Sequence, residues 1–182
     1  MICEMVGTRT DLLKLLPKDS IGIEIGVFKG EFSKQILEIA KPRMLYLLDR
    51  FEGLVASGDK DGNNRHMIDL GSYYTGILLP KYRKHPNVTI VKADTSEIRS
   101  FAYDLFDWCY IDAGHTYEEV THDLQAISPK VKAGGWIMGH DYAQRTAGVK
   151  QAVNDFCKAT GYEIAYLTND KLPSYAIRKQ LP

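Results

Sequence analysis

Five short apolar runs, each followed by a more polar stretch, constrain this chain more than any other feature. They are IGIEI (21–25), MLYLL (44–48), VTIVK (88–92), DWCYI (107–111) and GWIMG (135–139). After the first run, KGEFSKQILEIA places Phe32, Ile36 and Ile39 on one helical face. A short amphipathic segment around 11–16 precedes it, and helices are expected at about 96–104, 117–127 and 147–159. Runs this apolar, alternating with helices, are the signature of parallel strands covered on both faces.

The end of the chain breaks that rhythm. YEIAYLT (162–168) and SYAIR (174–178) are separated by NDKLP, and five residues cannot hold a crossover helix. This pair must be an antiparallel hairpin, whereas a dinucleotide-binding domain more usually closes with another parallel unit. The expected architecture is a three-layer, Rossmann-like α/β fold with a seven-stranded, mostly parallel sheet and an antiparallel last strand. At 182 residues the chain is expected to be one domain, 1–182, with no internal repeat.

The core does not explain the polar, glycine-rich segment GLVASGDKDGNNR (53–65) or the HMIDLGSYYTGILLPKYRKH that follows it. Loops of this length are lids, binding loops or surface insertions. Residues 53–85 are therefore expected to form a lid or substrate insertion, with Pro80 kinking or starting a helix. The run Lys81-Tyr82-Arg83-Lys84 reads as a solvated helix end.

The 23 basic and 23 acidic residues balance to a net charge of zero, which argues against a nucleic acid or an anionic membrane as dominant partner. Cys3, Cys109 and Cys157 show no paired spacing, which suggests reduced thiols. No signal peptide or membrane-length apolar stretch is read, so a soluble, cytoplasmic protein is expected.

The first strand-to-helix turn is EIGVFKGEF. Gly26 and Gly30 flank a tight turn that backbone can share with a ligand. A dinucleotide fingerprint wants glycine two residues before Gly26, but Glu24 stands there, which suits a ligand carrying a positive group. Asp49 ends the second run, where an acid can accept from ribose hydroxyls. In KADTSEI, Asp94 and Ser96 are candidates for an adenine edge or for a helix cap; capping is expected of Ser96, with Thr95 competing.

These stretches, with LYLLDRFEG and YIDAGHTYEEVTHDLQAISPKVKAGGWIMGHDY, resemble class I S-adenosylmethionine-dependent methyltransferases over roughly 20–179. The likeness is greatest to the small-molecule branch that includes sugar O-methyltransferases of the macrocin type. The resemblance implies S-adenosylmethionine as cofactor, with Glu24, Gly26 and Gly30 along its methionine end. It implies Asp49 on the ribose, and Asp94 with Thr95 or Ser96 by the adenine; Val27, Arg50 and Asp112 join the set as neighbours of these positions. In that branch an acid ends strand 4 and an acidic pair ends strand 5. Here Asp112 and Asp141 match, His140 replaces the first acid of the pair, and Gly114 stands where the branch has its acidic base.

In this fold strands 4 and 5 lie side by side, so Asp112, His140 and Asp141 can converge on one divalent cation, with magnesium the candidate. His115 is then the candidate general base and Asp112 its catalytic neighbour. The competing readings are that Asp112 hydrogen-bonds the cofactor amine or the turn, that His140 packs, and that the enzyme needs no metal. Thr116 with Glu119 three residues on reads as a capping box. Tyr142, Tyr117, Trp136, Tyr73 and Tyr74 are candidates for an aromatic acceptor pocket, with core packing preferred for Trp136; His66 and His122 read as surface residues. The expected function is methyl transfer to a small-molecule acceptor, a hydroxyl of a sugar or other polar metabolite, by a monomer or homodimer. An NAD-dependent oxidoreductase and a non-catalytic cofactor-binding module are the rivals.

Overall fold

The structure, a computed structural model, describes residues 3–57 and 66–181. The five apolar runs form β2 (Ile21–Ile25), β3 (Met44–Asp49), β6 (Val88–Lys92), β7 (Phe106–Ile111) and β8 (Val131–Gly139). The terminal pair forms β9 (Glu163–Thr168) and β10 (Tyr175–Arg178). An eighth strand, β1 (Glu4–Val6), too short to announce itself in the sequence, pairs parallel with β9 at the sheet edge. The order is β1-β9-β10-β8-β7-β2-β3-β6, and β10 runs antiparallel to both neighbours. This is the expected Rossmann-like sheet with its reversed last strand.

Alternation along the central strands supplies two cores, one per sheet face. Ile23, Ile25, Cys109, Ile111 and Ile137 pack with α5 (Tyr117–Ile127) and α6 (Ala147–Thr160). Leu45, Leu47, Trp108, Tyr110 and Met138 pack on the other face with α1 (Arg9–Lys14) and α2 (Glu31–Ile39). Cys109 is fully buried, which pushes its thiol up to about 12; all three cysteines are free.

Local grammar explains the helix limits. Thr116 caps α5: its hydroxyl accepts from the Glu119 N–H at 3.3 Å, and Glu119 Oε2 accepts from the Thr116 N–H at 3.2 Å. Gly161, at φ 74°, ends α6. The helix expected at 96–104 is instead a 3₁₀ turn, Thr95–Ser100, and its cap is Asp94, not Ser96 or Thr95. Asp94 Oδ1 accepts from the Ser96 N–H at 3.0 Å because the turn starts one residue earlier than the sequence suggested.

The insertion opens with an antiparallel hairpin, β4 (Leu54–Ser57) and β5 (His66–Asp69). Residues 58–65 of the expected lid lie outside the described residues. A helical stretch follows: α3 (Leu70–Tyr73), a π turn (Tyr74–Leu78) and α4 (Leu79–Tyr82). Pro80 sits in the first turn of α4, where its missing N–H is tolerated. Tyr82 from this stretch is buried against α2, so the basic run around it is exposed except at that residue.

Candidate active site

The strand ends are laced together by backbone hydrogen bonds that extend each ladder by one residue. Gly26 N–H donates to Leu48 O, Ala93 to Asp49 O, Asp112 to Ile25 O and His140 to Ile111 O, at 2.8–3.0 Å. Every polar residue that follows an apolar run is thus carried to one edge of the sheet. Gly26 packs directly on the next strand's loop: at φ 88°, a β-carbon there would lie 2.1 Å from Asp112 O.

Above this edge lies a cleft of about 850 Å³, within the size range of small-molecule sites. Glu24, Gly26, Val27, Asp49, Arg50, Asp94, Thr95, Ser96, Asp112 and His115 all line it. Gly30 does not. It is the N-cap of α2 at φ 70°, its carbonyl accepts from Tyr82 Oη at 2.6 Å, and the tyrosine ring covers the face where a side chain would stand.

Glu24 faces α2 and is buried, accepting from Ser33 Oγ. Burial, reinforced by the charges of Asp112 and Asp49, pushes its carboxyl up to about 8 against the opposing Ser33 bond and Arg9 charge. Asp49 organises the turn above it: Oδ2 accepts from the N–H groups of Val27 (2.8 Å) and Phe28 (2.9 Å), and Oδ1 from Phe51 (2.7 Å).

Beside the cleft, His140 and Asp141 gather with the cleft-lining Asp112 and His115. His115 Nε2 is 2.6 Å from Asp141 Oδ2, and His140 Nδ1 lies 3.6 Å from Asp112 Oδ1 and 3.5 Å from Asp141 Oδ1. Burial pulls His140 down, but the Asp112 hydrogen bond and the charges of both acids outweigh it and hold its pKa above the usual histidine value. Asp141 adopts φ 62° and is buried, and its Oδ1 has no hydrogen-bond partner. A void of about 10 Å³, room for one water-sized body, is bounded by these four residues among others. Among the described residues, the set whose ligand atoms fall within 4.8 Å of one another is Asp112, His115 and Asp141, with His115 where the sequence reading had His140.

Arg9, His122 and Asp123 are among the cleft-wall residues that the sequence reading did not assign to a site. Arg9 enters from α1, outside every motif. His122 and Asp123 enter from α5, so His122 is not simply a surface residue. Their signal was spacing: Glu118 and His122, and Glu119 and Asp123, are i,i+4 pairs that share one helical face. The expected aromatic pocket is not assembled. Tyr142 donates to Asn154 (2.7 Å), Tyr117 to Asp155 (3.2 Å), Trp136 packs on Tyr166 and Arg178, and Tyr74 stacks on Phe51. None of these four, nor Tyr73, lines the cleft.

The sequence profile of a family described as "Methyltransferase domain" matches residues 23–142, the stretch from β2 to just past Asp141 that builds this edge. The chain belongs to that family. It is a class I S-adenosylmethionine-dependent methyltransferase, which sets aside the NAD-linked alternative. No curated protein matches the sequence significantly. Among solved structures, the O-methyltransferase NovP superposes with TM-score 0.64 at 18% identity, covering 95% of this chain and 80% of that one. A putative methyltransferase from Streptococcus mutans, solved with S-adenosylhomocysteine, gives 0.64 at 14% identity, covering 93% and 94%. An rRNA methylase from Streptococcus thermophilus gives 0.62 at 10%, covering 94% of each chain. At such identities the methyltransferase shares a fold with these proteins, and acceptors as different as theirs follow from sites rather than folds. No helix among its described residues is long and apolar enough to cross a membrane.

Proposed function

We propose that this methyltransferase moves the methyl group of S-adenosylmethionine to a hydroxyl of a small polar acceptor, with sugars the first class to test. The cofactor would lie along the cleft, its methionine end over Glu24, Gly26 and Val27. Asp49 and Arg50 would meet the ribose, and Asp94, Thr95 and Ser96 the adenine. The hairpin and helical stretch of 53–85 would close over the acceptor.

One observation carries the hydroxyl reading: the 2.6 Å contact between His115 Nε2 and Asp141 Oδ2. A carboxylate only accepts, so the neutral ring making this contact holds its proton on Nε2 and keeps a lone pair on Nδ1. Asp141 then orients the base, as a third group does in other acid–base sites. The acceptor hydroxyl gives its proton to His115 Nδ1, its oxygen forms a bond to the methyl carbon, and the carbon–sulfur bond breaks with its electron pair remaining on sulfur. S-Adenosylhomocysteine and the methyl ether are the products. Alignment of the three atoms supplies much of the rate.

A second reading adds a divalent cation beside the cleft, and Asp141 Oδ1, which accepts no hydrogen bond and adjoins a one-body void, favours it. Asp112 and Asp141 would hold it, with His115 or His140 as the nitrogen ligand. Bound there, a cation would lower the pKa of an acceptor hydroxyl. The test is methyl transfer from labelled S-adenosylmethionine to a sugar and polyol panel, with and without EDTA. Transfer that survives EDTA leaves the base reading alone; loss restored by magnesium or manganese favours the cation. Transfer exclusively to amine or RNA acceptors overturns the hydroxyl reading.

A further inference from the structure

Arg9 brings a guanidinium into the cleft from outside the segment that matches the family. It is the first residue of α1, which is anchored by fully buried Leu12 and Leu13. Its backbone N–H donates to Asp170 Oδ2 at 2.8 Å, tying the start of α1 to the β9–β10 turn. Its guanidinium lies 4.4 Å from the Phe32 ring centroid, and Nη1 stands 3.6 Å from Asp112 Oδ2. That ion pair is longer than the roughly 2.7–2.9 Å of a charge-assisted hydrogen bond. Among the described residues the fork donates no hydrogen bond, although it holds five donors.

The same end of the cleft carries Glu24 and Asp112, both acids. Acids there match an ammonium and repel a carboxylate. A ligand bearing both groups on one carbon needs a cation beside them, and Arg9 lies close enough to act on the charge of Glu24. Phe32 covers one face of the guanidinium and leaves its edge for a planar, two-point partner.

We propose that Arg9 binds the carboxylate of the cofactor's methionine moiety and, with Glu24 on the ammonium, forms a clamp that selects a zwitterion. The proposal rests on the cofactor placement given above. It makes the chain discriminate against a cofactor that has lost its carboxylate. It also frees Asp112 from its long ion pair when the cofactor arrives.

The experiment is calorimetry on the full chain with S-adenosylmethionine, decarboxylated S-adenosylmethionine and 5′-methylthioadenosine. The wild type should bind S-adenosylmethionine about 10- to 100-fold more tightly than the decarboxylated form, the range expected for hydrogen bonds to a charged group. Arg9→Gln should lose that advantage while binding of the other two ligands changes by less than about twofold. Glu24→Gln should weaken both amine-bearing ligands and leave 5′-methylthioadenosine unaffected. Retained 5′-methylthioadenosine binding also reports that Arg9→Gln is folded. Equal weakening of all three ligands by Arg9→Gln makes the residue structural and overturns the clamp. So does a wild type that fails to discriminate, or an Arg9→Gln that binds S-adenosylmethionine normally; in both cases the cofactor placement survives. A wild type that binds none of the three removes the placement itself, and the clamp with it.

Discussion

His115 Nε2 and Asp141 Oδ2 meet at 2.6 Å, although the two residues lie on loops after different strands. The meeting depends on β7 and β8 being neighbours and on one backbone angle. Asp141 sits at φ 62°, and Thr146 Oγ1 (2.5 Å) and the Ala143 N–H (2.7 Å) both donate to its carbonyl. Left-handed backbone is uncommon outside glycine, and asparagine and aspartate tolerate it best. The reversal turns the Asp141 carboxylate back toward the crevice.

Asp141→Asn keeps that backbone and removes the charge that orients His115. If the pair is the base, kcat should fall about 10²- to 10⁴-fold while the Kd for S-adenosylmethionine changes little. Steady-state kinetics alongside calorimetry check this. A kcat within about tenfold of wild type takes the base role away from the pair.

The sheet was legible because four of the five apolar runs are followed directly by a glycine, an acid or a histidine, and because five residues between 168 and 174 leave no room for a crossover. The cleft wall at the ends of β2, β3 and β7 was legible for a related reason: its residues follow the runs directly, and the ladder bonds fix where those positions go. Arg9, His122 and Asp123 were not legible. They reach the cleft through helix packing, and nothing in local sequence says which helical face meets the strand ends. Gly30 packs against Tyr82, fifty-two residues away, a contact that no local spacing reveals. The choice of His115 over His140 as the partner of Asp141 is a matter of loop geometry, which spacing alone does not reveal.

Glu24 makes both stability and cofactor affinity depend on pH, with opposite signs. Its folded pKa, about 8, lies above the ordinary glutamate value of 4.5, so between these values the folded chain holds a proton that the unfolded chain releases. Stability should therefore fall as pH rises from about 5 to 8, and Glu24→Gln should flatten the decline. An ammonium ligand favours the ionised carboxylate, so S-adenosylhomocysteine affinity should rise over the same range, by up to about tenfold per unit. Urea melts and calorimetry at pH 6, 7 and 8 measure the two slopes. An affinity independent of pH separates Glu24 from the ligand amine.

Gly26→Ala should be among the most damaging single-methyl changes in the chain. The residue sits at φ 88°, and its β-carbon would lie 2.1 Å from Asp112 O and 2.7 Å from Ala113 N, backbone atoms that cannot swing aside. Left-handed strain and overpacking together should cost about 2–5 kcal/mol. The readout is the urea midpoint, with the slope of the transition unchanged if the fold is otherwise intact. A loss below about 1 kcal/mol would mean that the β7–α5 turn can retreat from β2.

Tyr82→Phe tests whether the insertion supports the cofactor turn. Tyr82 Oη donates to Gly30 O at 2.6 Å, the ring is buried against α2, and burial raises the phenol to about 12, so it is a neutral donor throughout the physiological range. Removing the hydroxyl leaves a carbonyl without its partner at the start of α2, at a cost of about 1–3 kcal/mol. Because Gly30 closes the turn that begins at Gly26, the same change should weaken S-adenosylhomocysteine binding about two- to tenfold, less than any change to Glu24. The contrast separates two roles for residues 70–82. A stability loss with unchanged cofactor affinity would make the segment a cover for α2 alone. A loss in both would mean that the insertion and the β2–α2 turn move together.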